Sequence, residues 1–150
     1  MSSTKQKLFA FCQTFAQDRI ARIEKSIENI RESLYAETKS SAGDKHETGR
    51  AMLQLEREKL GQQLIEAEKM KEVLAKVRLE NSKVIVGLGS WVKTSKADYF
   101  LAISAGKFNK ENLSVYCISV GTPIGRSLIG KSEGDSFSFN GETIKILKID

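Results

Sequence analysis

A chain of 150 residues that is 40% hydrophobic and 29% charged has room for one or two domains and enough apolar side chains for a core, which excludes a disordered chain. Its net charge of +5 is spread over both halves with acids and bases interleaved, so a polyanionic partner is permitted but not demanded. The start, Met1 to Lys7, is basic, but Gln13, Gln17, Asp18 and Arg19 interrupt the residues after it; the lack of a continuous apolar stretch argues against a signal peptide or membrane span, and for the cytoplasm.

The first predicted element is a helix capped by Ser2, Ser3 or Thr4 and running to about Lys39. Cys12, Ala16, Ile20, Ile23, Ile27, Ile30 and Leu34 recur at steps of three and four, the period of one helix face. At about 1.5 Å per residue this is a rod of roughly 50 Å. Phe9, Phe11 and Phe15 crowd its first turns on more than one face, so its base is expected to pack on the C-terminal part of the chain.

Ser40-Ser41-Ala42-Gly43 breaks the pattern, and a second helix is expected from Asp44 to about Arg78 or Glu80, before Asn81-Ser82. Its stripe is Leu53, Leu60, Leu64, Ala67, Leu74 and Val77, with Glu56 and Lys71 at two positions where apolar residues are expected. Two such stripes joined by a short turn bury themselves against each other, which predicts an antiparallel coiled-coil hairpin over residues 1–80 with its tip near 40–50.

Beyond residue 81 the character changes to short β-branched and aromatic runs: Val84 to Val92, Tyr99 to Ile103 and Val115 to Val120. A last strand pair, Ser136 to Phe139 and Glu142 to Ile146, flanks Asn140-Gly141, the dipeptide suited to a type I′ turn, and sets Phe137 opposite Ile144. Leu147 and Ile149 have the wrong parity for that strand unless a bulge or a second covered face intervenes. Between strands, Thr122 is a helix cap, Pro123 suits the first helical position and Gly130 the left-handed residue after the last turn. The expectation is an α+β chain: the hairpin, then a small antiparallel sheet domain of four strands with one short helix over residues 81–150. Cys12 and Cys117 lie far apart with no ligand spacing and read as two buried thiols.

Three stretches resemble the bacterial Gre transcript cleavage factors. Thr122-Pro123-Ile124-Gly125-Arg126-Ser127-Leu128-Ile129-Gly130-Lys131, with Gly134-Asp135 after it, is similar to the family's Ser-Pro-Ile-Gly-Arg-Ala-Leu-Ile-Gly-Lys signature. Val86-Gly87-Leu88-Gly89-Ser90-Trp91-Val92 resembles its Val-x-Leu-Gly-Ser-x-Val strand, and Gly43-Asp44-Lys45-His46-Glu47 its tip motif Gly-Asp-Leu-x-Glu. The resemblance implies a coiled coil followed by an FKBP-like domain. It further implies a monomeric elongation factor, not itself an enzyme and without a cofactor of its own, that enters the secondary channel of RNA polymerase and docks through Thr122, Pro123, Ile124, Gly125 and Arg126. Asp44 and Glu47 would then help hold the second catalytic Mg²⁺ of the polymerase, and the polymerase would cleave its own backtracked RNA.

The residues also carry plainer readings. Asp44 and Glu47 have the spacing of a capping box at the start of the second helix, a role compatible with metal binding. Carboxylates are hard oxygen donors suited to Mg²⁺. Lys39, Lys45 and Arg50 are either ordinary solvated charges or a basic rim near the RNA 3′ end, where cations meet phosphates. His46 reads as a surface side chain. Where the family continues Glu-Asn-Ala-Glu-Tyr after its first tip acid, this chain has Thr48-Gly49-Arg50-Ala51 after Glu47. That departure supports an alternative, a channel-binding regulator that does not stimulate cleavage or inhibits synthesis. A prolyl isomerase is a further alternative, for which Trp91, Tyr99, Phe100, Tyr116, Phe137 and Phe139 would have to line a cleft; their strand patterns read as core instead.

Overall fold

A computed structural model of the chain describes residues 3–39, 44–80 and 84–150. The residues of the expected hairpin turn, 40–43, and the expected break at 81–82 lie outside the described residues. The chain clusters into two compact units, Ala16–Met70 and Met1–Phe15 with Lys71–Asp150.

Helix α1 spans Ser3–Lys39 and contains neither Gly nor Pro; helix α2 spans Asp44–Ala75. In the unit Ala16–Met70 the two pack along the expected seam. Ile23, Leu60 and Ala67 form its buried centre, flanked by Ile20, Ile27, Ile30 and Leu64. Glu56 and Lys71 are exposed where the stripe would have placed apolar residues, so charge at these positions stays in water. The second helix ends earlier than its periodicity predicts. After Ala75 the chain tightens, with Lys76 N–H bonding Val73 O at 3.0 Å and Val77 N–H bonding Leu74 O at 3.2 Å. The Arg78 guanidinium donates to the Ala75 carbonyl at 3.0 Å, satisfying a free helix end, while Val77 remains buried on the stripe.

The other unit is built on a sheet of six strands: β1 Trp91–Thr94, β2 Asp98–Ala102, β3 Gly106–Lys110, β4 Leu113–Ser119, β5 Ser136–Phe139 and β6 Glu142–Ile149, in the spatial order β3-β4-β2-β1-β6-β5. Two expectations are corrected here. The sheet is mixed, because β2 and β4 run parallel, and it has six strands rather than four, of which only β3 lies outside the runs named from the sequence. Strand β3 escaped the pattern because Phe108 is its one buried residue among Lys, Asn and Gly, a composition that protects a sheet edge. Its turn into β4 uses Glu111 and Asn112 with φ of 53° and 62°, a left-handed pair without glycine.

The run Val84 to Val92 is likewise not one strand. Gly87 to Ser90 forms a turn, with Ser90 N–H bonding Gly87 O at 3.1 Å and Gly89 at φ +87°, so only Trp91 onward joins the sheet. The residues before the turn lie along the segment after the short helix instead: Ile85 bridges Ser132, and Val86 N–H bonds Lys131 O at 2.9 Å.

The β5–β6 hairpin has the expected register, Phe137 opposite Ile144, and turns through Asn140 and Gly141 at φ 50° and 80°. The parity of Leu147 and Ile149 is resolved by a bulge against β1: Lys93 pairs with Lys148 and Thr94 with Ile146, which leaves Leu147 unpaired. Ile144, Ile146 and Ile149 are buried while Leu147 is 55% exposed. Leu147→Ala should therefore change stability by no more than about 0.5 kcal/mol, against roughly 2–5 kcal/mol for Ile146→Ala. Urea unfolding of the two variants checks this; equal losses would remove the bulge.

Helix α3, Pro123–Leu128, covers one face of the sheet. Val86, Val92, Tyr99, Leu101, Leu128, Ile146 and Ile149 form that core. On the opposite face Phe100, Phe108, Val115 and Cys117 are buried, and the Phe11 ring of α1 meets Phe108 edge-on at 5.4 Å.

Candidate functional site

The acids singled out by the sequence stand at the beginning of α2. Asp44 is its first residue, and Glu47, three positions on, is exposed. Their spacing puts both on one turn, where the partial positive charge of a helix N-terminus favours carboxylates. The side chains of Lys39, Asp44, Lys45 and His46 lie outside what the structure describes. Arg50 is exposed one turn beyond Glu47. A further acid joins this region from α1: a Cβ at Gly49 would lie 3.5 Å from Oε1 of Glu37, an ordinary contact distance, so that carboxylate lies beside α2 at Gly49. The sequence signal for Glu37 was the antiparallel register of the two stripes, which sets residues just before the turn opposite those just after it.

The second group of candidates surrounds α3. Thr122 Oγ1 accepts from Gly125 N–H at 3.1 Å and donates to Ser119 O at 2.8 Å, so one hydroxyl both caps the helix and ties it to the end of β4. Gly130 has φ +83°, as its place after the helix requires. Gly125 is buried, and a Cβ there would stand 2.4 Å from Ser119 O, which no side chain tolerates. Pro123 and Arg126 are exposed.

Ile124, among the residues that the resemblance makes a docking surface, is not exposed apolar area. It is half-buried against the core under α3, because the cap orients the first turn with its apolar residues inward. The exposed apolar surface of this region belongs instead to Val84 at 79%, Ile85 at 52%, Ile129 at 38% and Val120 at 37%. Backbone pairing of Ile85 with Ser132, and of Val86 O with Gly130 N–H at 3.0 Å, sets the first two beside the segment that leaves α3. These residues were hidden in the sequence because Val84 and Ile85 looked like the start of a buried strand.

Among solved structures, the transcription factor Gfh1 matches at 20% identity over 87% of this chain and 92% of that chain, with a TM-score of 0.34. No family model matches the sequence, and no curated protein does.

The aromatic residues weighed for a prolyl isomerase cleft are mostly core. Trp91, Tyr99 and Phe100 are buried, Phe137 and Phe139 half-buried, and Tyr116 lies on the surface at 41% exposure with the Lys107 ammonium 5.5 Å from its ring. Burial holds the Tyr99 hydroxyl above its usual pKa, as expected of a phenol packed in a core rather than poised for chemistry. Among the described residues no helix is long and apolar enough to cross a membrane, and no group of three or more His, Cys, Asp or Glu could hold a metal ion.

Proposed function

We propose that this chain is a Gre-type transcript cleavage factor, acting in the cytoplasm on RNA polymerase. It is not itself an enzyme: it presents the acidic tip of a two-helix rod to the polymerase active site through the secondary channel. The observation that carries the reading is the position of Asp44 and Glu47 on the first turn of α2, at the end of a packed hairpin, in a chain that also has the Thr122–Lys131 signature.

Two carboxylates on one turn suit a hard cation that keeps several waters, so Asp44 and Glu47 would be shared ligands of the polymerase's Mg²⁺ and the factor needs no cofactor of its own. Such an ion would lower the pKa of a bound water, so that the hydroxide left after proton loss could attack a phosphodiester. The residues of this chain position and supply negative charge; Lys39, Lys45 and Arg50 on the same end would meet phosphates near the RNA 3′ end. Docking falls to the surface around α3, with Pro123 and Arg126 exposed and Val84, Ile85 and Ile129 supplying apolar area, while Thr122, Ile124 and Gly125 shape it.

The region around Gly49 favours a second reading. Glu37 lies beside it, and the residues after Glu47 differ from the family's, which suits a factor that occupies the channel and inhibits synthesis. A stalled, backtracked elongation complex incubated with and without the protein distinguishes the two. Shortening of the RNA from its 3′ end supports the cleavage factor; slowed nucleotide addition without shortening supports the regulator; no effect and no binding rejects both.

A further inference from the structure

Cys12 and Cys117 come from opposite ends of the sequence and meet in one core. Cys12 lies on α1 with 0% exposure, next in sequence to Phe11, whose ring stacks edge-on against Phe108 of β3. Phe108 pairs with Val115 and Gly106 with Cys117, so Val115 and Cys117 share the sheet face on which the first turns of α1 rest. Cys117 is 2% exposed, and both cysteines are free thiols.

The shared core face brings the two thiols together, within reach of a hydrogen bond between them. The hydrogen bond from Cys117 holds the Cys12 thiol below its usual pKa, against the opposing effect of burial and with help from a backbone hydrogen bond at Ile103. The same contact, together with burial, pushes Cys117 up. Cys12 sits in the first turns of a helix, which open more readily than a strand held between two neighbours, so it meets an oxidant first and Cys117 is the partner placed to react second.

We propose that Cys12 and Cys117 are a redox-responsive pair, which hydrogen peroxide converts into an internal disulfide that fastens the first turns of α1 to β4. In the first step the Cys12 thiolate attacks one peroxide oxygen, the O–O bond breaks, and the departing hydroxide takes the thiol's proton as water, leaving Cys12 as a sulfenic acid. In the second, the Cys117 sulfur attacks Cys12 Sγ, the S–O bond breaks, and the hydroxide leaves as water with the Cys117 proton. Two thiols lose two electrons and the peroxide gains them. Burial excludes bulky oxidants, whereas hydrogen peroxide is small and uncharged and needs only a local opening of the first helical turns. The closed loop spans most of the chain, which maximises the entropy removed from the unfolded state.

The test uses the full reduced chain and hydrogen peroxide. The expected product is a monomer lighter by two hydrogen masses, giving one linked peptide that contains residues 12 and 117, and its Tm should rise by roughly 5–15 °C and fall back on reduction with dithiothreitol. In Cys117→Ala the second step is blocked, so Cys12 should accumulate as a sulfenic acid and take up dimedone, which the unaltered protein does far less. Disulfide-linked dimers, oxygen addition with the two cysteines unlinked, or both thiols intact after exposure that oxidises glutathione would each overturn the proposal. If Cys117→Ala does not fold, the peptide map of the unaltered protein decides alone.

Discussion

Replacing Asp44 by Asn and Glu47 by Gln together is expected to abolish stimulation of RNA cleavage while leaving the hairpin folded and polymerase binding intact. The two roles open to these acids accept different substitutes. Asn caps a helix about as well as Asp, and Gln serves a capping box much as Glu does, so the double change should cost at most about 1 kcal/mol of stability. The seam of Ile23, Leu60 and Ala67, which holds the helices together, is untouched. Ligation of a divalent cation depends on the full negative charge of the carboxylates, and removing two of them should lower cleavage by about 100-fold or more, equivalent to roughly 3 kcal/mol of barrier. Circular dichroism, polymerase co-migration and cleavage of a backtracked RNA are measured on the same preparation. Undiminished cleavage by the folded double variant would leave these acids with a capping role alone.

Ile85→Asp combined with Ile129→Asp is expected to weaken polymerase binding by at least about tenfold with little loss of stability. Both side chains are substantially exposed, at 52% and 38%, so in the free protein a carboxylate at either site stays in water. Burying the same carboxylates in an apolar contact costs several kcal/mol, and each 1.4 kcal/mol is about a factor of ten in affinity. Ile124→Asp is a poor substitute for this experiment, because Ile124 packs on the core and the change would destabilise the domain itself. A binding titration with thermal melts as control settles it: unchanged affinity at unchanged Tm places the dock elsewhere.

The sequence was most informative where one local rule acted alone. The helix limits at Lys39 and Asp44 followed from periodicity and a run of small residues, and the Thr122 cap and the Asn140-Gly141 turn from chemistry confined to a few residues. The spacing of Asp44 and Glu47 likewise fixed them on one turn. What failed depended on partners distant in sequence. A strand with one apolar residue, β3, is stabilised by its neighbour β4, and the parallel pairing of β2 with β4 follows from where that hairpin folds back. Ile124 lies in the first turn of α3 and Ile129 just past its last residue, and the packing of α3 buries the first more than the second. The meeting of Glu37 with Gly49, and of Cys12 with Cys117, required the folded register.

The crowding at Gly125 separates two kinds of selection. With Ser119 O only 2.4 Å from where a Cβ would stand, any chain that folds this way must keep glycine there, whatever it binds. Nothing comparable restrains Glu47, which is exposed and lies outside the seam that packs the helices. Substitutions can therefore accumulate on the first turn of α2 at little cost to folding, while the loop around α3 cannot change at Gly125.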